Sequence, residues 1–165
     1  TMRLFIGFLA LLTLVPALVI ANPSPQAPNG ISIPAGYRGW QLVAPSQRPD
    51  KGQIRVILGN DIALRALRDH IRPFPDGAIL AKVAWTTRTN RAFPVAVEPD
   101  TFVQIEFMVK DSRKYTDTAG WGFARFLGPE LTPYGKDPSF VKECFGCHQP
   151  VKGNDFVFTS LPPAP

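Results

Sequence analysis

Histidine, cysteine and methionine are scarce in this chain, two of each among 165 residues, so any metal or redox site has few ligands to draw on. Two cysteines permit at most one disulfide, too few to staple a small fold. Charge is sparse too: Asp, Glu, Lys and Arg make up 19% of the chain, and its net charge of +5 is carried by basic residues scattered singly. With no basic cluster to track a phosphate backbone, nucleic-acid binding is disfavoured. Internal repeats are missing, collagen-like and coiled-coil readings fail on composition, and the length is too short for two ordinary domains. A helix bundle is disfavoured by what is abundant: 18 prolines and 13 glycines spread along the chain, which favour short strands joined by turns.

The long apolar run is confined to Leu4–Ile20, behind the short positive start Met2-Arg3 and ahead of Val19-Ile20-Ala21, which offers a small residue for signal peptidase. It contains Pro16 and is followed by polar residues without a basic stop-transfer cluster, so an exported chain is expected rather than one with a retained anchor. The organisation that follows is a signal peptide over 1–21, a Pro-rich linker over 22–36, and one folded domain over 37–165, located in the periplasm. Alternating apolar residues predict strands over Trp40–Ala44, Gln53–Leu58, Ile79–Thr87, Ala92–Val97, Phe102–Lys110, Gly120–Phe126 and Phe156–Ser160. Asn60 can cap a helix over about Asp61–Ile71, and Thr87–Arg91 reads as a hairpin turn. The expected fold class is therefore mainly β: an antiparallel sheet with a few short helices and a C-terminal helix that carries the motif described next.

Cys144-Phe145-Gly146-Cys147-His148 is the C-x-x-C-H signature of covalent c-type haem attachment. Asp137 can cap a helix whose first residue is Pro138 and which runs to about His148. On that helix Cys144 and Cys147 share a face, where both sulfurs can reach one porphyrin edge, and His148 can turn its imidazole to the iron. A redox-active cysteine pair or half a zinc site are the alternatives; zinc would want further ligands, and the other histidine is His70. No Met or His follows His148, and upstream of it the mature chain offers only Met108 and His70, both in patterns that favour packing or solvent. The sixth iron position is thus expected to be open, which suits a haem that binds or transforms a small ligand.

The segments Arg55-Val-Ile-Leu-Gly59-Asn60, Phe74-Pro-Asp-Gly77 leading to Ala81-Lys82, Glu106-Phe-Met-Val-Lys-Asp111, Gly120-Trp-Gly-Phe123 and Cys144 to His148 together resemble cytochrome P-460 and its relative, the β-sheet form of cytochrome c-prime. The resemblance covers the chain from about Tyr37 onward. It implies an antiparallel β fold, often dimeric, holding one five-coordinate haem c per chain. In P-460-type members a lysine is also bonded to the porphyrin and the protein oxidises hydroxylamine.

Within that resemblance Lys82 matches the cross-linking lysine. On its own pattern Lys82 lies in an otherwise apolar strand, where it either meets a partner or escapes to water from an edge. Glu106 shares a strand face with Gln104 and Met108, opposite Val103, Ile105, Phe107 and Val109. The resemblance makes it a distal-pocket carboxylate able to accept protons, the alternative being a solvated strand residue. Arg55 matches a pocket arginine that could bind a distal ligand or a haem propionate. Lys82, Glu106 and Arg55 are thereby the expected catalytic set, with Cys144, Cys147, His148 and Lys82 holding haem and His148 on iron. The implied activity is oxidation of hydroxylamine to nitric oxide or nitrous oxide, with electrons passing to an external acceptor such as a small cytochrome. The main rival is a nitric oxide-binding protein of the β cytochrome c-prime type without a cross-link; simple electron transfer with Met108 on the iron is another.

Overall fold

The computed structural model describes residues 24–163, so the expected signal segment lies outside the described residues. Six strands form one antiparallel sheet in which spatial order follows chain order. They are β1 (Gln41–Arg48), β2 (Gln53–Gly59), β3 (Ile79–Thr89), β4 (Val97–Lys110), β5 (Trp121–Leu127) and the two-residue β6 (Thr132–Pro133). Helix α1 (Asp61–Arg68) joins β2 to β3, and α2 (Val141–His148) follows the sheet. The fold is mainly β, as the alternation of the sequence implies.

Several boundaries differ from expectation for identifiable reasons. β1 runs through Pro45 instead of stopping at Ala44, because it is an edge strand and the missing N–H of proline need not meet a neighbour. A bulge between Leu42 and Ala44 sets its register. Ala92–Ala96 is a loop: Asn90 Oδ1 accepts from the amides of Ala92 and Phe93 at 2.9 Å each, closing a turn in place of a ladder, and strand structure begins only at Val97. Phe156–Ser160 finds no strand partner. The helix expected to reach Ile71 ends at Arg68, where His70 takes a left-handed backbone (φ 53°) and the Ile71 amide bonds back to Ala66 O at 2.9 Å.

The start of α1 and the start of the 3-10 turn that leads into α2 are held by side-chain caps, at the residues their sequences imply. Asn60 Oδ1 accepts from the Ala63 amide at 3.0 Å, and Asp137 Oδ1 from the Ser139 amide at 2.8 Å. The turn Pro138–Phe140 is 3-10 and passes directly into α2. Eight residues are too few for an isolated helix to persist in water, so α1 depends on burying Ala63, Leu64, Ala66 and Leu67. The two leucines contribute on the order of 1.5–3 kcal/mol each on that account.

The two faces of the sheet have different jobs. One buries Val83, Ile105, Phe107 and Phe126, and there the Tyr37 ring of the N-terminal segment lies edge-on to Phe107 at 5.5 Å between centroids. That segment includes the stretch expected as a linker. Its described part is packed on the sheet: Ala27 and Ile31 are buried, and Asn29 Nδ2 donates to Phe123 O at 2.8 Å. A turn at Gly30 (φ 85°) folds the stretch back so that both apolar residues meet the domain. The other face carries a polar row. Cross-strand register aligns Ile57, Lys82, Glu106 and Arg125 on β2, β3, β4 and β5, and residues directly opposite one another project to the same side.

Candidate functional site

Helix α2 and the segment after it stand off this second face and enclose a cavity of about 790 Å³ between themselves and the sheet, a volume in the range of cofactor sites. The sheet wall presents Arg55, Lys82, Glu106, Met108, Phe123 and Arg125; the opposite wall presents Cys144, Cys147, His148 and Phe158. Every residue singled out in the sequence as catalytic or haem-binding thus lines one cavity. Met108 lines it too, whereas His70 is exposed at the end of α1 and takes no part.

On the α2 wall the thiols of Cys144 and Cys147 are unbridged, Cys144 buried and Cys147 at the surface. Burial pushes the Cys144 thiol above its ordinary value, against the pull of the Arg125 charge. His148 Nδ1 lies 2.6 Å from the Phe156 carbonyl oxygen, which can only accept, so Nδ1 carries the proton and Nε2 keeps a free lone pair. The ring is flanked by Phe123 at 5.3 Å and Phe158 at 5.0 Å between centroids. Desolvation holds its pKa below the usual histidine value, the Phe156 hydrogen bond opposing, which favours the neutral imidazole that a metal requires.

On the sheet wall Lys82 sits on an inner strand, not an edge, and its Nζ contacts Glu106 Oε2. Glu106 Oε1 accepts from Arg125 Nε at 2.7 Å, and its side chain is only 16% exposed, so it is not a solvated strand carboxylate. Burial, reinforced by the like charges of Arg55 and Arg125, brings the Lys82 ammonium down to about 8. Arg55 Nη2 donates to Ser46 Oγ at 2.7 Å, while its Nε is buried with no partner. Burial lowers its pKa, with Arg48 adding to the effect and Asp50 opposing it.

Arg125 was not singled out from the sequence. It ties Glu106 to the outside: Nη1 reaches Glu143 Oε1 at 3.7 Å, its guanidinium lies 4.5 Å from the Tyr134 ring centre, and Tyr134 OH donates to Glu143 Oε2 at 2.8 Å. The available sequence signal was its place in the strand, two residues after Phe123 and four after Trp121, on the same side as both. Its partner, however, is set by β4–β5 register.

Haem fits these residues on three counts. Two thiols and a histidine with a free Nε2 converge on one cavity wall. The cavity is flanked by apolar and aromatic side chains, and the sheet wall carries four cations, Arg48, Arg55, Lys82 and Arg125, against the one carboxylate of Glu106, a surplus that suits the negative carboxylates of haem. The unpartnered Arg55 Nε is a buried donor that costs about 1–3 kcal/mol until an acceptor reaches it. Among the described residues no group of three or more His, Cys, Asp or Glu is arranged to hold a metal ion by itself.

Comparison with known families decides the matter: the profile of cytochrome P460 matches residues 34–159. The chain belongs to the cytochrome P460 family. Membership implies a haem cofactor, consistent with the donor set on α2. No individual curated protein matches the chain.

Proposed function

We propose that this cytochrome P460 family member is an exported enzyme that oxidises hydroxylamine to nitric oxide or nitrous oxide, using one haem attached through Cys144 and Cys147 and ligated by His148. In this reading Lys82 is bonded to the macrocycle, the protein works in the periplasm as a homodimer, and a small cytochrome or similar carrier takes the electrons. The observation that carries the reading is the direct pairing of Lys82 with Glu106 inside the cavity that also holds the Cys-x-x-Cys-His helix.

Haem, when bound, supplies the redox-active iron. The chain's residues supply orientation and proton handling. His148, its Nδ1 fixed by Phe156 O, offers Nε2 as the ligand. Glu106 is the proton acceptor, because hydroxylamine cannot give up electrons to completion without shedding protons, and a carboxylate in reach takes them. Arg125 holds Glu106 Oε1, so Oε2 is the oxygen turned to Lys82 and the cavity. Arg55 binds an anionic group, a haem propionate or the distal ligand, through its unpartnered Nε.

Mass spectrometry of proteolytic haem peptides from the matured protein, together with a hydroxylamine turnover assay, tests this. A Lys82 peptide joined to haem held by both cysteines, with turnover that Lys82→Leu abolishes, is the expected result. Haem linked through the cysteines alone, with tight nitric oxide binding and no turnover, would replace the enzyme with a gas-binding protein.

A further inference from the structure

Behind His148, away from the charged row, lies a second ionic group. Lys110, the last residue of β4, is 5% exposed and Asp155 9%. Lys110 Nζ donates to Asp155 Oδ2 at 2.9 Å, Asp155 Oδ1 at 3.0 Å and Ala119 O at 3.1 Å, and lies 4.9 Å from the Trp121 ring centre. Asp155 Oδ2 also accepts from the Phe74 amide at 2.7 Å. Stability gives little reason for such a pair, since apolar replacements of buried ion pairs are commonly neutral or better; holding one conformation is their attested use.

The conformation held here is unusual. Asp155 (φ 50°) and Phe156 (φ 63°) are consecutive non-glycine residues in the left-handed region, each costing roughly 1–2 kcal/mol. Such backbone persists only where its surroundings impose it. The outcome of that turn is the position of the Phe156 carbonyl, 2.6 Å from His148 Nδ1.

We propose that Lys110 and Asp155 are positioning residues for His148: the pair anchors the left-handed turn to an inner strand and thereby aims Phe156 O at Nδ1, fixing both ring orientation and the donor strength of Nε2. The inference rests on the haem reading above. A hydrogen bond to the far nitrogen of a ligating histidine raises its basicity, so loosening the anchor weakens the iron–histidine bond and favours ferrous over ferric iron.

The test compares haem-loaded wild type with Lys110→Met/Asp155→Asn, a neutral pair that leaves no buried charge unpaired. Asn90→Ala serves as a control, since it removes the cap of the β3–β4 turn at the opposite end of the ladder from Lys110. Resonance Raman of the ferrous protein should show the iron–histidine stretch lowered and broadened in the double variant, with a raised midpoint potential, and neither change in the control. A stretch and midpoint equal to wild type, with only a lower melting temperature, would overturn the proposal and leave the pair a structural one. Asp155→Asn alone, which keeps an acceptor for the Phe74 amide and tolerates left-handed backbone, is read the same way if the double variant does not accumulate. Should wild type take up no haem, the haem reading falls; the histidine 15N spectrum of the full chain then decides. A tautomer mixture at His148 in the variant supports positioning, and a single Nδ1–H tautomer overturns it.

Discussion

Lys82 on β3 and Glu106 on β4 are directly opposed in the ladder, and Arg125 on β5 is directly opposed to Glu106. One carboxylate therefore serves two cations inside a cavity, and burial disfavours the charge on Lys82.

Lys82 should lose its proton near pH 8, far earlier than an exposed lysine. Since folding lowers this pKa, the unfolded chain binds more protons between about 8 and the ordinary lysine range, and stability rises with pH across that window. Below pH 8 both states are protonated and the cost of burying the charge is carried in full. Selective 15N labelling of lysine in the haem-free chain gives the midpoint; a value near 10.5, the ordinary one, would refute the burial argument.

Glu106→Gln keeps the shape and the Arg125 contact but removes the proton acceptor. On the proposed activity, hydroxylamine turnover should fall by roughly 10²-fold or more, the range of a lost general base, while haem uptake is unchanged. Turnover within about threefold of wild type would assign proton removal elsewhere.

Asn60 does more than cap α1. Its Oδ1 also accepts from the Ile79 amide at 3.0 Å and its Nδ2 donates to Gly77 O at 2.8 Å, so one side chain joins the helix start to the start of β3. Asn60→Ala should cost about 2–3 kcal/mol in urea unfolding, above the usual capping loss, because a half-buried strand amide is left unmet. A loss below about 0.5 kcal/mol would show that water replaces all three bonds.

What the sequence could reveal was local. Alternation over Phe102–Val109 correctly separated Glu106 and Met108 from Ile105 and Phe107, because strand geometry sends neighbours to opposite faces. The caps at Asn60 and Asp137 and the spacing of Cys144, Cys147 and His148 are likewise short-range facts. Arg125 was missed because its meaning comes from register with β4, which no window of neighbours contains. Lys110 and Asp155 were missed for the same reason, being 45 residues apart. The strands expected at Ala92–Val97, of which only Val97 joins a ladder, and at Phe156–Ser160 have strand-like composition but otherwise no neighbour to pair with, and in the first Asn90 and Pro94 provide a turn instead.

The order in which the strands lie has a consequence for how the protein is made. Each strand of the sheet pairs with the one just synthesised, so the sheet needs no distant loop to close before it can form. The wall with Lys82, Glu106 and Arg125 is complete by Leu127, and α2 begins only at Val141. Docking of the Cys-x-x-Cys-His helix is then a late event on a finished surface, and the Cys144 thiol stays open to solvent until that last step shuts it against the sheet, whereas Cys147 is exposed before and after.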